Sequence, residues 1–358
     1  MPGRPLVGPV LVLSTFDGLV LGDLSFWLMS LRYHAACCQT AFPCPKKRSE
    51  IPARIDHMVQ MMHHAVGGYE PFFDVRLLVF PEFAHAAPTM SLADLREQLA
   101  VELPGDSLTP YIKACQELGC FVWTGTFLER DSNYPDAVFN TTCLVGPTGL
   151  LAKYRKVNPW VPWEVHASPH DIADYPDDPF PVVETEIGRL GAAICYDWLF
   201  PETLRELAFK GAEVLVRVSA YMDPWGATPP MDWWTLFNRA RAAENTACVV
   251  ACNQGASLAG YPPFSWPGGS MIVDHDGRIM SQADPGEGEK IVVGPVDVSA
   301  VRDARSRRRG HDMRSHLRRS MHGLPPGPGL SPATEHPITS ESLEARLFRA
   351  KGQLPDQQ

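Results

Sequence analysis

A run of small and apolar residues, Leu190 to Ile194, ends on Cys195 and is followed by the helix signal Pro201-Glu202-Thr203-Leu204. The run is too short for a buried helix, so it reads as a strand covered on both faces. Pro201 suits a first helical turn, Leu204, Leu207 and Ala208 mark one apolar stripe, and Gly211 stops the helix. A cysteine at the carboxyl end of such a strand stands where open α/β sheets hold their chemistry. The helix begins several residues later, so its dipole gives the sulfur little help. Activation must come mostly from charged neighbours elsewhere in the chain.

The same unit recurs along the sequence. Tyr33 to Gln39 reads as a first core strand, and Ile55, Met58, Val59, Met62 and Val66 then recur at helical spacing up to Gly67-Gly68. Val75 to Phe80 is a second short apolar strand. Ser107 and Pro110 offer a cap and a first-turn proline for a helix ending near Gly119. Phe121 to Phe127 and Val138 to Val145 follow as strands without an intervening helix, which predicts antiparallel neighbours and a mixed sheet. The segment from Lys153 to Glu164, KYRKVNPWVPWE, is broken by prolines and asparagine and reads as a structured loop. Beyond Cys195 come a strand at Val214 to Ser219, a helix at Trp233 to Asn245 and a strand at Thr246 to Asn253. Met271 to Asp274 and Lys290 to Val296 are expected to close the sheet, with a hairpin turn at Asp276-Gly277.

This order gives one α/β domain over residues 33–300. Residues 1–32 are read as an N-terminal extension. Leu6 to Phe16 is apolar enough for a signal-peptide core, but Asp17 and Asp23 interrupt it and no convincing cleavage site follows. Residues 301–358 are read as an arm and tail. Eight arginines between Arg302 and Arg319 are expected either to be a solvated face or to contact another subunit of this acidic chain.

The chain has 358 residues, 45% of them hydrophobic, enough for a large core. A net charge of −9 argues against a nucleic-acid partner, and no apolar run is long enough for a membrane span. Nine cysteines without zinc-finger or redox spacing point to reduced thiols and a cytoplasmic location. Cys37 and Cys38 would face opposite sides of a strand, and Cys248 and Cys252 read as core. No metal is expected at His63-His64, where spacing suggests no third ligand, nor at His166 and His170, which have helix-like spacing but sit in a proline-broken loop.

Three residues share a description. Glu82 follows one apolar strand, Lys156 follows a strand pair and its turn, and Cys195 follows another apolar strand. An acidic residue at the tip of a buried strand must find a partner or change its pKa. Together the three residue types suit amide cleavage: a thiolate attacks, a carboxylate moves protons, and an ammonium stabilises the oxyanion. Lys156 near Cys195 would also favour the thiolate.

The pieces VFPEF (79–83), KYRKVNPW (153–160) and GAAICYDWLFPETLRELAFKGAEVLV (191–216) resemble the three signature blocks of the nitrilase, or carbon–nitrogen hydrolase, superfamily. The resemblance spans about Tyr33 to Val298. It implies a four-layer α-β-β-α sandwich, with Glu82 as general base, Lys156 as oxyanion-stabilising lysine and Cys195 as nucleophile. Glu164 matches a second glutamate that positions substrate and water in the aliphatic amidase and formamidase branch. Nitrilases usually follow the cysteine with Trp-Glu, whereas this chain has Tyr196-Asp197. The loop RKVNPWVPWE, the stretch VRVSAYMDP (216–224) and VRDAR (301–305) are similar to the amidase and formamidase branch, from which Val165-His166 departs in place of Gly-Trp.

The resemblance implies hydrolysis of a small or medium carboxamide to acid and ammonia through a cysteine thioester, with no cofactor. The oxyanion would sit near Lys156 and the backbone N–H of Tyr196, and Tyr221, Trp225 and Trp233 are candidates for lining the acyl pocket. A nitrilase or N-carbamoyl hydrolase would use the same triad, and a non-catalytic scaffold would need none of it. Family members commonly build larger assemblies from dimers, so a homo-oligomer is expected.

Overall fold

The computed structural model describes residues 31–322 except 42–44, 87–90, 161–163, 223–229, 257–265, 285, 287, 308–311 and 315. The extension up to residue 30, Trp225, the Pro/Gly-rich bend at 323–329 and the tail after 330 lie outside the described residues.

Two mixed sheets form the centre. The first grows from β1 (Arg32–Gln39), α1 (Ile51–Gly67), β2 (Val75–Val79), α2 (Leu92–Asp94) with a π turn after it, β3 (Val101–Glu102), α3 (Thr109–Leu118), β4 (Phe121–Arg130), β5 (Val138–Gly146) and β6 (Gly149–Arg155). The second grows from β7 (Val182–Thr185), β8 (Gly188–Ile194), α4 (Pro201–Phe209), β9 (Val214–Ser219), α5 (Trp233–Asn245), β10 (Cys248–Asn253), β11 (Met271–Val273) and β12 (Ile279–Gln282). The strand β13 (Lys290–Asp297) and the helix α6 (Val298–Arg307) close the domain. The first sheet is seven-stranded, ordered β13-β1-β2-β4-β5-β6 with β3 against β4, and the second is six-stranded, ordered β12-β11-β10-β9-β8-β7. Each has three parallel strands at its centre, β1, β2 and β4 or β8, β9 and β10, flanked by antiparallel ones apart from the short β3, which runs parallel to β4.

The two-residue period of a strand sorts the core into layers. Ala36, Cys38, Leu78 and Val122 pack with Ile55, Met58 and Met62 of α1 and with Tyr111 and Cys115 of α3. The alternate residues Ala35, Cys37, Leu77, Val79 and Trp123 face the second sheet, in one cluster with Ile194, Val216, Val218, Val250 and Met271. The Cys37 Sγ donates to the Ala251 carbonyl at 3.4 Å across that interface. Leu204 and Leu207 of α4 and Trp234 and Ala242 of α5 belong to the same cluster and cover the outer face of the second sheet. The layers are therefore helix, sheet, sheet, helix, the sandwich the resemblance implies.

Several expectations need correction. Lys153 to Arg155 do not belong to the loop: they pair with Cys143, Thr142 and Thr141, so β6 runs up to Lys156. Lys290 to Asp297 do not close the same sheet as β11. They cross to the first sheet and pair antiparallel with β1, because their alternate apolar residues find β1 as the open edge. The Asp276-Gly277 turn instead joins β11 to β12, a strand too polar to stand out in the sequence. The short edge strand β7 was equally hidden. Ser107 does not cap α3; Leu108 occupies that position without a side-chain bond, and a short 3-10 turn precedes it.

The basic segment differs most from expectation. Residue 300 falls inside α6, and Arg302, Arg305 and Arg314 bind their own domain. Arg302 clamps Glu213 through two bonds of 2.6 and 3.0 Å, and Arg305 donates to the carbonyls of Thr246, Gly211 and Ala212 at the ends of α5 and α4. Arg314 reaches the Ala208 carbonyl at 3.2 Å. The guanidinium groups of Arg305 and Arg314 satisfy carbonyls left over at helix C-termini, the role a cation fills best there. Arg305→Ala is expected to lower stability by about 2–4 kcal/mol in urea denaturation. A solvated arginine would leave it within about 0.5 kcal/mol.

Candidate active site

The carboxyl ends of β2, β6, β8 and β9 converge at one end of the sandwich. Glu82 leaves β2 through Phe80 and Pro81 and is buried. Its backbone turn places Phe83 at a φ of 56°, and the Phe83 N–H donates to Thr126 Oγ1 at 2.9 Å. Gly125 makes room for this turn, since a Cβ there would lie 2.5 Å from the Pro81 carbonyl oxygen. The neutral imidazole of His85, pushed down to about 3 by burial, bonds Thr126 and Tyr111 and stacks on Phe127 at 3.6 Å, anchoring the far side of the turn.

Lys156 begins the loop after β6, and its side chain is 1% exposed. The Nζ donates to Glu82 Oε1 at 2.8 Å and to Glu164 Oε1 and Oε2 at 2.7 and 2.8 Å. Burial works against the ammonium, but Glu164 and then Glu82 outweigh it and raise the lysine above its ordinary value. Burial alone would raise Glu164, yet Lys156 and then His166 hold its carboxyl well below the usual range. For Glu82 burial wins: the carboxyl is pushed up, with Lys156 pulling against the shift. A carboxylate whose pKa is raised is a better proton acceptor.

Cys195 sits at the first turn after β8 with φ 44°, a left-handed conformation that a non-glycine residue holds only under constraint. Asp197 supplies the constraint. Its Oδ2 accepts from the Ile194 N–H at 3.0 Å and from the Tyr154 hydroxyl at 2.8 Å, while its Oδ1 accepts from the Asn158 N–H and Nδ2 at 2.8 and 2.9 Å. One buried carboxylate thus ties the cysteine turn to β6 and to the lysine loop. The thiol is pushed up to about 12 by burial first and by Glu82 second, against Lys156 and Arg217. Lys156 favours the thiolate, as the sequence reading expects, but burial outweighs that attraction, and Cys195 rests as a thiol beside Glu82.

Sequence reading missed several contributors. Asn140 of β5 donates to Glu82 Oε1 at 2.9 Å, and the Ala220 N–H donates to Glu82 Oε2 at 3.1 Å. Both come from strand register, which motif spacing does not carry. Asp197 and Arg217 did leave a signal, as charged residues inside or next to runs that fold as fully buried. Of the expected pocket residues, Tyr196 follows the cysteine with its ring against Phe200, and Tyr221 is held in place by Asn253, whose Oδ1 accepts from the Tyr221 N–H at 2.7 Å. Trp233 is partly exposed on α5, and Trp225 lies outside the described residues. His166 faces Glu164 at 3.4 Å. Among the described residues no group of three His, Cys, Asp or Glu side chains gathers to hold a metal ion. A separate cleft lined by Arg48, Arg96 and Arg130 shares no residue with this cluster, and its cations are engaged by backbone carbonyls and acidic side chains.

A depressed carboxyl contributes stability above its unfolded pKa of about 4.3 and loses it as pH falls through the folded value. Glu164→Gln is therefore expected to lower unfolding free energy by about 2 kcal/mol at pH 7. In urea titrations the difference should shrink steadily towards pH 2, and a difference that stays constant with pH would contradict the electrostatic role.

Comparison with known proteins agrees with the fold. The family model described as carbon-nitrogen hydrolase matches residues 34–306. A formamidase of Bacillus cereus (strain Q1) is 32% identical over 256 residues, 69% of this chain and 69% of its own. A branch-10 member of the nitrilase superfamily from Saccharomyces cerevisiae superposes with a TM-score of 0.63 at 25% identity, over 76% of this chain and 93% of its own. An amidase from Nesterenkonia sp. AN1, described with the acetamide moiety of fluoroacetamide on its active-site cysteine, shares the fold with a TM-score of 0.61 at 19% identity, over 81% and 95%.

Proposed function

The chain belongs to the carbon–nitrogen hydrolases, and from that premise we propose that it hydrolyses a small or medium carboxamide to a carboxylic acid and ammonia through a thioester on Cys195. The observation that carries this reading is the buried Lys156 ammonium shared between Glu82 and Glu164 at strand ends that converge with Cys195. The similarity to a formamidase supports an amide substrate.

Glu82 takes the Cys195 proton, and the sulfur attacks the amide carbon. Negative charge develops on the carbonyl oxygen, near the Lys156 ammonium and the Tyr196 N–H. The proton held by Glu82 then passes to the departing nitrogen, the C–N bond breaks, and ammonia leaves a thioester. Glu82 next takes a proton from water, whose oxygen attacks the thioester carbon, and the acid leaves as Cys195 regains its proton. Glu164 holds Lys156 in place and keeps it charged throughout. Burial of the cluster strengthens each of these interactions relative to water. Tyr221 lines the acyl side, no cofactor takes part, and the enzyme works as a cytoplasmic homo-oligomer built from dimers. Among the described residues no helix is long and apolar enough to cross a membrane.

Ammonia release from a panel of carboxamides, nitriles and carbamoyl compounds tests the proposal. Amides should release ammonia, Cys195→Ala should abolish it, and Lys156→Met should lower the rate by about a hundred- to a thousandfold. Release from nitriles or carbamoyl compounds alone would overturn the amide assignment.

A further inference from the structure

Arg217 is the odd residue of the second sheet. It lies in the middle of β9, paired in register with Ala193 of β8 and Ala251 of β10, and is fully buried. Its guanidinium sits over three aromatic rings, 4.3 Å from the centroid of Trp234, 5.1 Å from Tyr221 and 5.4 Å from Trp198. Its one hydrogen bond runs from Nη1 to Asn238 Oδ1 at 3.0 Å, and Nε and Nη2 have no acceptor among the described residues. The neighbouring Arg241 is different, since Glu244 balances it at 3.0 Å. A buried cation without a carboxylate partner is expensive to keep unless it serves the charges around it.

Those charges belong to the proposed reaction. The groups acting on Arg217 are Cys195 in the turn after β8, Tyr221 after β9, Arg241 on α5 and Glu82 after β2. Arg217 pairs with Ala193, two residues before Cys195, and its guanidinium lies over Trp198 of the cysteine turn. Lys156 favours negative charge on both groups, but it touches Glu82 directly and so favours the carboxylate more than the thiolate. A second cation on the Cys195 side offsets that bias.

We propose that Arg217 is a positioning residue for the first step, a buried cation behind Cys195, without a carboxylate partner among the described residues, that draws the negative charge of the Cys195–Glu82 pair onto sulfur. The S–H proton moves to a Glu82 oxygen, the electron pair stays on sulfur, and the total charge of the site is unchanged. The aromatic cage holds the guanidinium by cation–π attraction, which keeps it charged without the carboxylate that would cancel its field. The inference rests on the reading of Cys195 as nucleophile and Glu82 as its base.

The test is the rate of Cys195 alkylation by iodoacetamide at pH 8, followed by peptide mass mapping in the full chain. The variants are Arg217→Met, Arg217→Lys and Asn238→Asp. Asn238→Asp keeps the guanidinium, the cage and the hydrogen bond but adds the missing counter-charge, so it tests the field even if Arg217→Met fails to fold. Arg217→Met and Asn238→Asp should slow alkylation about tenfold, equal to about one unit in the thiol pKa. Arg217→Lys should stay within about threefold of the parent. If Cys195 is alkylated in the parent and Asn238→Asp leaves the rate unchanged, Arg217 is only a packing residue and the inference falls. If the parent's Cys195 is not alkylated at all, the nucleophile assignment itself fails, and the inference falls with it.

Discussion

Everything at the end of the sandwich depends on one ammonium held between two carboxylates. Lys156 cannot be buried alone, and neither Glu82 nor Glu164 can lose water without a partner. Bringing the three together fixes the end of β2, the end of β6 and the loop after it relative to one another. Asp197 performs the same service for the cysteine turn, joining β8 to β6 and to Asn158. The site is thus assembled by buried polar groups that have only each other to satisfy them, while the apolar layers beneath hold the strand ends at the required separation.

The balance of charge in this cluster explains how a thiol that burial holds high can still act. Glu82 and Glu164 stand against Lys156 and the buried Arg217, so moving a proton from Cys195 to Glu82 shifts charge inside the cluster without creating any. Such a transfer needs far less stabilisation than ionising the thiol into solvent. The left-handed backbone at Cys195 and Phe83 places local strain at the cysteine and beside Glu82, where the surrounding bonds can hold it.

Much of this was legible in the sequence. The short apolar runs gave the parallel strands, the proline and glycine punctuation gave the helices between them, and three charged or nucleophilic residues at strand ends gave the centre of the site. What stayed hidden depends on register and on the stacking of two sheets. Asn140 reaches Glu82 only because β5 pairs with β4 so that Asn140 lies opposite Leu128. β13 resembles a strand of either sheet, and its partner β1 is almost the whole described domain away in sequence. Arg305 and Arg314 did not stand out within a run read as a solvated face or a subunit contact, because a sequence does not reveal which helix ends lack partners for their carbonyls. Arg217 was visible as a charge inside VLVRVS, but its meaning needed the aromatic rings that α5 and the cysteine turn bring to it.

The central claim is that the carbonyl carbon of the substrate becomes bonded to Cys195 during turnover. The direct measurement is the mass of the protein, and of its Cys195 peptide, quenched in acid while a slowly hydrolysed amide is being consumed. An added mass equal to the acyl group on the Cys195 peptide, which disappears when the amide is exhausted, is the predicted result. Steady release of ammonia with Cys195 unmodified, or with the acyl group on another residue, would contradict the account.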